Sequence, residues 1–111
     1  MSFAPFDVVV VPFPYADKLA EKRRPAVVVS ARVLEKRHGL VWLAMITSAD
    51  NPRWDSDVAI SDLKAAALPA PSRVRPAKIA TVDATRILRR IGRLTPKDAK
   101  VVKARMAGLL G

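Results

Sequence analysis

The chain has no cysteine and a single histidine among its 111 residues. Without cysteine it can form neither a disulfide nor a thiolate metal site, so we expect a reducing compartment, the cytoplasm. The N-terminus lacks the basic and apolar regions of a signal peptide, and no apolar run approaches the length of a membrane span. The histidine, His38, lies between Arg37 and Gly39 in an expected turn, which favours a solvent-facing position over a catalytic one.

Glycines and clustered acids are also scarce. Four glycines are present, and none belongs to a Gly-rich phosphate-binding loop. The ten acidic residues are scattered, mostly beside basic ones, whereas a two-metal nuclease needs several converging carboxylates. No His-x-Glu or His-Glu-x-x-His spacing exists, so zinc is not expected either. The sequence therefore predicts a protein without a metal or another cofactor.

Positive charge is abundant. Twenty Lys and Arg residues against ten Asp and Glu residues leave a formal charge of +10. Such an excess repels itself in the folded state and calls for an anionic partner. Nucleic acid is the first candidate and an acidic protein the second. A membrane surface is disfavoured because no basic amphipathic helix stands out.

The length predicts one domain over residues 1–111, and the alternation of short β-branched runs with turns predicts a mainly β protein. The expected strands are Phe6–Val11, Pro25–Ser30, Leu40–Ser48, Asp57–Ile60, Ser72–Arg75, Lys78–Val82 and Ile91–Leu94. Within the third of these, Trp42 is expected to be core. Asp62–Leu68 is ambiguous, since its alanines suit a helix and the following prolines end one quickly.

Two helices are expected toward the C-terminus. A short one, capped by Asp83 or Thr85, is expected to run to Arg90. A longer one starts at Thr95, which can cap it, with proline at the first helical position. Its apolar stripe, expected to face the core, consists of Ala99, Val102, Met106, Leu109 and Leu110. Together the elements predict a small, strongly bent sheet or partly open barrel with a terminal helix packed on it.

The most informative stretch is Lys22–Ser30, in which two arginines precede a proline and a run of valines. Proline pushes the residue before it toward extended geometry, so Arg24 is expected at the mouth of a strand. A guanidinium anchored in this way can bind a phosphate repeatably. The alternative is that Arg23 and Arg24 are solvated charges that keep an edge soluble.

Arginine chemistry fits one reaction in particular. Cleavage of RNA by its own 2′-hydroxyl needs no metal, but it needs alignment, proton movement and stabilisation of the charged phosphorane. Arg24 can supply the stabilisation bidentately, and the hydroxyls of Thr47 and Ser48 can donate to the remaining phosphate oxygens. Because arginine is a poor general base, the proton acceptor stays unassigned.

Side chains that could hold the RNA are the aromatic and basic residues outside that trio. Trp54 and Tyr15 lie in expected loops and can stack on bases. Arg73 and Arg75 share one face of an expected strand. The predicted RNA-binding set is Lys22, Arg23, Trp54, Arg73, Arg75 and Lys78.

Five blocks in order, Asp7–Pro14, Lys22–Ser30, Ile46–Ser48, Val74–Asp83 and Ile91–Leu94, resemble the MazF/PemK family of type II toxin–antitoxin toxins. The resemblance implies a homodimeric SH3-like barrel that cleaves single-stranded RNA at short motifs without metal. It implies products with a 2′,3′-cyclic phosphate and a 5′-hydroxyl. It also implies an antitoxin whose tail occupies the RNA groove.

The same resemblance implies roles for particular residues. The arginine of the family's Arg-Pro motif corresponds to Arg24, and the threonine that ends its third strand corresponds to Thr47, with Ser48 adjacent. Some members also use an arginine and an aspartate two residues apart. Here the arginine is Arg75, but the acid is replaced by Ala77, so one proposed general base is missing.

Three functions are compatible with these observations. The leading one is a sequence-selective ribonuclease toxin. The second is a non-catalytic toxin of the same fold that inhibits DNA gyrase, as the CcdB toxins do, and the third is a basic RNA-binding scaffold. The Arg-Pro and Thr-Ser blocks favour the ribonuclease, because a gyrase inhibitor does not need them.

Overall fold

The computed structural model describes residues 2–14 and 21–111. Within them the strands are β1 (Asp7–Pro14), β2 (Glu21–Val28), β3 (Leu40–Ser48), β4 (Val58–Ala59), β5 (Ser72–Asp83) and β6 (Arg89–Arg93). They form one antiparallel sheet in the order β4-β5-β3-β2-β1-β6, curled into a half-barrel. The prediction of a mainly β fold with a C-terminal helix is confirmed.

The valine-rich strands are buried on both faces of the sheet. Alternate residues of a strand point to opposite faces, so a continuous apolar run serves two cores. One core contains Val8, Val27, Ala44, Ile46, Val74 and Val102. The other contains Phe3, Val9, Val11, Val28, Val41, Leu43 and Ile87. Two cores, one on each face, hold the central strands rigidly and thereby position their ends.

The described helices are α1 (Arg32–His38), α2 (Leu63–Ala66) and α3 (Pro96–Leu109), with a 3₁₀ turn at Ala84–Arg86. Helix α2 settles the ambiguous segment: the Ala65 amide donates to the Asp62 carboxylate at its start, and Ala67 ends it with φ of 58°. No helix in residues 2–14 and 21–111 combines the length and apolar character needed to cross a membrane.

Helix α3 begins as predicted, with the Thr95 hydroxyl accepting from the Asp98 amide. Val102 is fully buried, but Leu109 and Leu110 are 51% and 70% exposed, so their expected core position is wrong.

The expected helix up to Arg90 is also wrong. The Leu88 amide donates to the Val10 carbonyl, and the sheet takes the chain into β6 from Arg89.

Trp42 is 46% exposed, so the expectation of a core tryptophan is wrong as well. Its strand neighbours Val41 and Leu43 point into the core beneath the opposite face. Its cross-strand partner Thr81 is exposed too. An apolar run thus predicted the strand correctly but could not tell which end of it is covered.

Gly92 allows β6 to approach α2 closely. A Cβ placed on Gly92 would lie 2.5 Å from the Ala65 carbonyl oxygen and 2.7 Å from the Ala66 carbonyl carbon, both of them backbone atoms. Because backbone cannot move aside like a flexible side chain, Gly92→Ala is expected to lower the free energy of unfolding by about 1–3 kcal/mol. Urea unfolding measures this change.

Gly108 provides the matched control for that substitution. It lies in α3, and a Cβ there would meet nothing within 4 Å. Gly108→Ala is therefore expected to leave stability unchanged or raise it by up to about 1 kcal/mol. Similar effects of the two substitutions would contradict the packing argument.

Candidate active site

Arg24 of β2 and Thr47 of β3 lie just beyond the last paired residues of these two neighbouring strands. The pairing runs from Val28 opposite Leu43 to Ala26 opposite Met45, and Arg24 and Thr47 are each two residues further along. On its other side Arg24 pairs with Val11 of β1, which holds it in the predicted extended geometry. Strand β2 begins at Glu21, however, so the expected position of Arg24 at the mouth of a strand is wrong. Across β3, Thr47 pairs with Arg73. Cross-strand neighbours share a face of the sheet, so Thr47 lies on the same face as Arg73.

A groove of about 430 Å³ opens at these strand ends. We call it the strand-end groove. Its polar lining consists of Lys22, Arg23, Arg24, Thr47, Ser48, Asn51 and Ser72, and its apolar lining of Pro25, Ile46 and Leu68–Pro71. The predicted catalytic residues Arg24, Thr47 and Ser48 therefore line one groove. Lys22 and Arg23, which were predicted to bind RNA, line the same groove.

Asn51 is a polar member of the groove that the sequence did not single out. Its side-chain amide donates to the Thr47 hydroxyl at 2.7 Å, and its backbone amide donates to the Ser48 carbonyl at 3.1 Å. In the sequence it directly precedes Pro52, a pattern that is typical of a turn. The available signal was its spacing, since an Asn four residues after a strand-ending Thr can reach that hydroxyl through a turn.

The loop that carries Asn51 is held by three residues that we call the arginine clamp, Asp57, Arg73 and Arg75. The Asp57 carboxylate is completely buried, with Arg73 Nε at 3.5 Å and Arg75 Nε at 3.2 Å. The other guanidinium nitrogens donate to loop carbonyls: Arg73 to Ala49 at 3.1 Å and to Asn51 at 2.5 Å, and Arg75 to Pro52 at 2.6 Å. The clamp thus ties β5 to the loop after β3.

The charge state of Asp57 follows from these contacts. Burial acts to raise the pKa of Asp57, but the hydrogen bond from the Trp54 amide and the bond and charge of Arg75, with a contribution from Arg73, outweigh burial. The net effect holds the pKa of Asp57 below its ordinary value of 3.8. The clamp is therefore an ionised carboxylate between two cations at neutral pH.

The rest of the predicted RNA-binding set lies outside the groove lining. The guanidinium of Arg75 stacks over the Trp54 ring, 4.1 Å from its centroid, and Trp54 is 43% exposed. Lys78 is exposed at a bulge where the β3–β5 register shifts. Their contact with RNA stays a prediction, as does that of Arg73. Tyr15, the other stacking candidate, lies outside the described residues.

Across residues 2–14 and 21–111, no group of three or more His, Cys, Asp or Glu side chains could hold a metal ion. The groove is instead basic and rich in hydroxyl and amide groups. Such a lining is suited to an anion with several oxygen atoms, such as a phosphodiester.

Residues 4–110 match the family model of PemK-like, MazF-like toxins of type II toxin–antitoxin systems. The chain belongs to this family. No curated protein sequence matches it.

Solved structures share the fold at low identity. MazF of Deinococcus radiodurans aligns with a TM-score of 0.77 and 20% identity, over 100% of this chain and 98% of that one. Mycobacterium tuberculosis toxin MazF-mt6 aligns with a TM-score of 0.73 and 19% identity, over 92% and 93% of the two chains. A mycobacterial endoribonuclease in complex with its cognate antitoxin gives 0.74 and 18%, over 99% of each chain.

Proposed function

We propose that the chain is an endoribonuclease toxin that cleaves single-stranded RNA at selected sequences without a metal. The observation that carries the proposal is the meeting of Arg24, Thr47 and Ser48 in the strand-end groove. Membership of the toxin family and the formal charge of +10 support it. The proposed site of action is the cytoplasm, where messenger RNA is translated.

The proposed reaction is an internal transesterification. The ribose 2′-oxygen attacks the adjacent phosphorus, the bond from phosphorus to the 5′-oxygen breaks, and the products carry a 2′,3′-cyclic phosphate and a 5′-hydroxyl. The 2′-hydroxyl loses a proton and the leaving 5′-oxygen gains one. Arg24 faces the equatorial phosphate oxygens, where its fixed positive charge stabilises the phosphorane. Thr47 and Ser48 donate hydrogen bonds to the same oxygens.

Asp57 is not the proton acceptor in this scheme. Its carboxylate is fully buried and paired with two arginines, and its lowered pKa makes it a weak base. Ala77 has a methyl group where some family members have an acid. Among the described side chains that line the groove, none is acidic. The main contribution of the groove is therefore charge stabilisation.

RNA is proposed to enter along the basic rim. Lys22 and Arg23 are exposed and line the groove beside Arg24, so they can neutralise flanking phosphates. Trp54 and Lys78 are proposed to extend this track outside the groove. Arg73 and Arg75 act on RNA chiefly through the loop that they hold.

Two partners complete the proposal: a second copy of this chain and an acidic antitoxin. Similar folds include a mycobacterial endoribonuclease in complex with its cognate antitoxin and a MazE–MazF complex from Deinococcus radiodurans. The positive charge of this chain would attract an acidic protein to the groove. Light scattering would check the dimer, and a mass of 12.1 kDa would contradict it.

The decisive experiment uses single-stranded RNA oligonucleotides of varied sequence in the presence of chelator. We expect cleavage at a short motif, with the cyclic phosphate on the 5′ fragment. A 2′-deoxy substitution at the cleaved nucleotide should abolish cleavage there, whereas the same substitution one nucleotide away should not. Intact RNA, or scission at the deoxy position, would contradict the mechanism. Binding without scission would instead identify an RNA-binding scaffold.

A further inference from the structure

We infer that Asn51 is a positioning residue that directs the hydroxyl proton of Thr47 into the strand-end groove, and that the arginine clamp holds Asn51 where it can do so. The inference rests on the proposed ribonuclease function. It adds a group that does not touch the reacting phosphate but decides how Thr47 presents itself to it.

The hydrogen bond between Asn51 and Thr47 has a defined direction. The Asn51 amide donates to the Thr47 hydroxyl oxygen at 2.7 Å. A hydroxyl has one proton and two acceptor lone pairs, whereas an amide N–H can only donate. The bond therefore occupies a lone pair of Thr47 and leaves its proton available for another acceptor. Because Thr47 lines the groove, a phosphate oxygen bound there can be that acceptor.

The second step is the placement of Asn51 itself. Loops are normally the more mobile parts of a fold, but the carbonyls of Ala49, Asn51 and Pro52 accept bonds from the clamp arginines. The clamp is anchored in turn, because Arg105 of α3 donates to the Asp57 carbonyl at 3.1 Å. Contacts thus run without a gap from the C-terminal helix to the Thr47 hydroxyl.

A turn role alone does not account for the amide side chain. The turn after β3 is closed by backbone and hydroxyl groups: the Asn51 amide donates to the Ser48 carbonyl, and the Asp50 amide donates to the Ser48 hydroxyl at 3.1 Å. Neither bond uses the Asn51 side chain, which is exposed apart from its bond to Thr47. The Asn51 side chain therefore acts on the Thr47 hydroxyl and is not needed to close the turn.

The test is a double-mutant cycle between Asn51→Ala and Thr47→Val, with single-turnover cleavage of one RNA substrate as readout. In the parent chain, Asn51→Ala should slow the cleavage step by between about 10-fold and 100-fold with little change in RNA affinity. In the Thr47→Val background, which has no hydroxyl to direct, the same substitution should change the rate less than about 2-fold. Asn51→Asp, which accepts the Thr47 proton, should be slower than Asn51→Ala.

Ser56→Ala is the matched control, because Ser56 lies in the same loop, is uncharged and is not part of the groove lining. It should cleave at the parent rate, and all variants should unfold at the parent urea midpoint. Equal losses from Asn51→Ala with and without the Thr47 hydroxyl would overturn the inference. Parent-rate cleavage by Asn51→Ala would do so too. A parent chain that leaves RNA intact would instead defeat the proposed function.

Discussion

Arg24→Ala is expected to slow RNA cleavage by about 100-fold to 1,000-fold, because it removes the fixed charge closest to the phosphorane. Arg24 is held in strand geometry by its pairing with Val11 and lines the strand-end groove together with Thr47. The loss should appear in the rate of the chemical step rather than in RNA affinity, since the interaction strengthens as charge develops. Single-turnover kinetics with saturating protein measure that step directly.

Arg23→Ala is the matched control, since it removes the same charge from the adjacent, exposed position of the same groove. It should weaken RNA binding several-fold and leave the saturated rate near that of the parent. Arg24→Lys keeps the charge but loses the bidentate fork, so it should recover only part of the rate. Equal losses in Arg23→Ala and Arg24→Ala would mean that net charge alone matters.

Asp57→Asn is expected to lower the free energy of unfolding by about 3–5 kcal/mol, because it leaves two guanidinium groups without their counter-ion. The side chains of Arg73 and Arg75 are only 14% and 12% exposed, so water replaces the lost carboxylate poorly. Urea unfolding monitored by tryptophan fluorescence would measure the loss. Because the clamp holds the loop of Asn51, RNA cleavage should fall in the same variant.

Asp55→Asn is the matched control for Asp57→Asn, since it removes the same charge from an exposed position of the same loop. It should change stability by less than about 0.5 kcal/mol. Equal effects of the two substitutions would show that the buried ion pairs do not stabilise the fold.

The dependence of stability on pH follows from the lowered pKa of Asp57. Because the folded carboxyl has a lower pKa than the ordinary 3.8, its stabilisation is complete above that value and is lost as pH falls through the folded-state pKa. The free energy of unfolding of the parent chain should therefore fall more than that of Asp57→Asn between about pH 4 and about pH 2, the range in which carboxyl groups titrate. Parallel losses in the two proteins would contradict this assignment.

Local chemistry in the sequence was enough for the features that depend on neighbouring residues. The Thr95 cap and Pro96 marked the start of α3, because both act through the first turn of the helix itself. The Arg-Pro-Ala-Val run predicted extended geometry for Arg24, because proline restricts the residue before it, but it did not show that β2 begins as early as Glu21. The ordered family blocks then predicted Arg24, Thr47 and Ser48 as catalytic, and all three line the strand-end groove.

Other features depended on which distant residues the sheet brings into contact. The sequence by itself determined a basic, mainly β chain with an extended arginine before a proline, because these properties lie in composition and in adjacent residues. Only the tertiary structure decided that Asp57 is buried between Arg73 and Arg75, that Asn51 reaches Thr47, and that Trp42 is exposed. The physical reason is that strand register and sheet curvature set these distances and exposures, and neither is encoded in the residues immediately around each side chain.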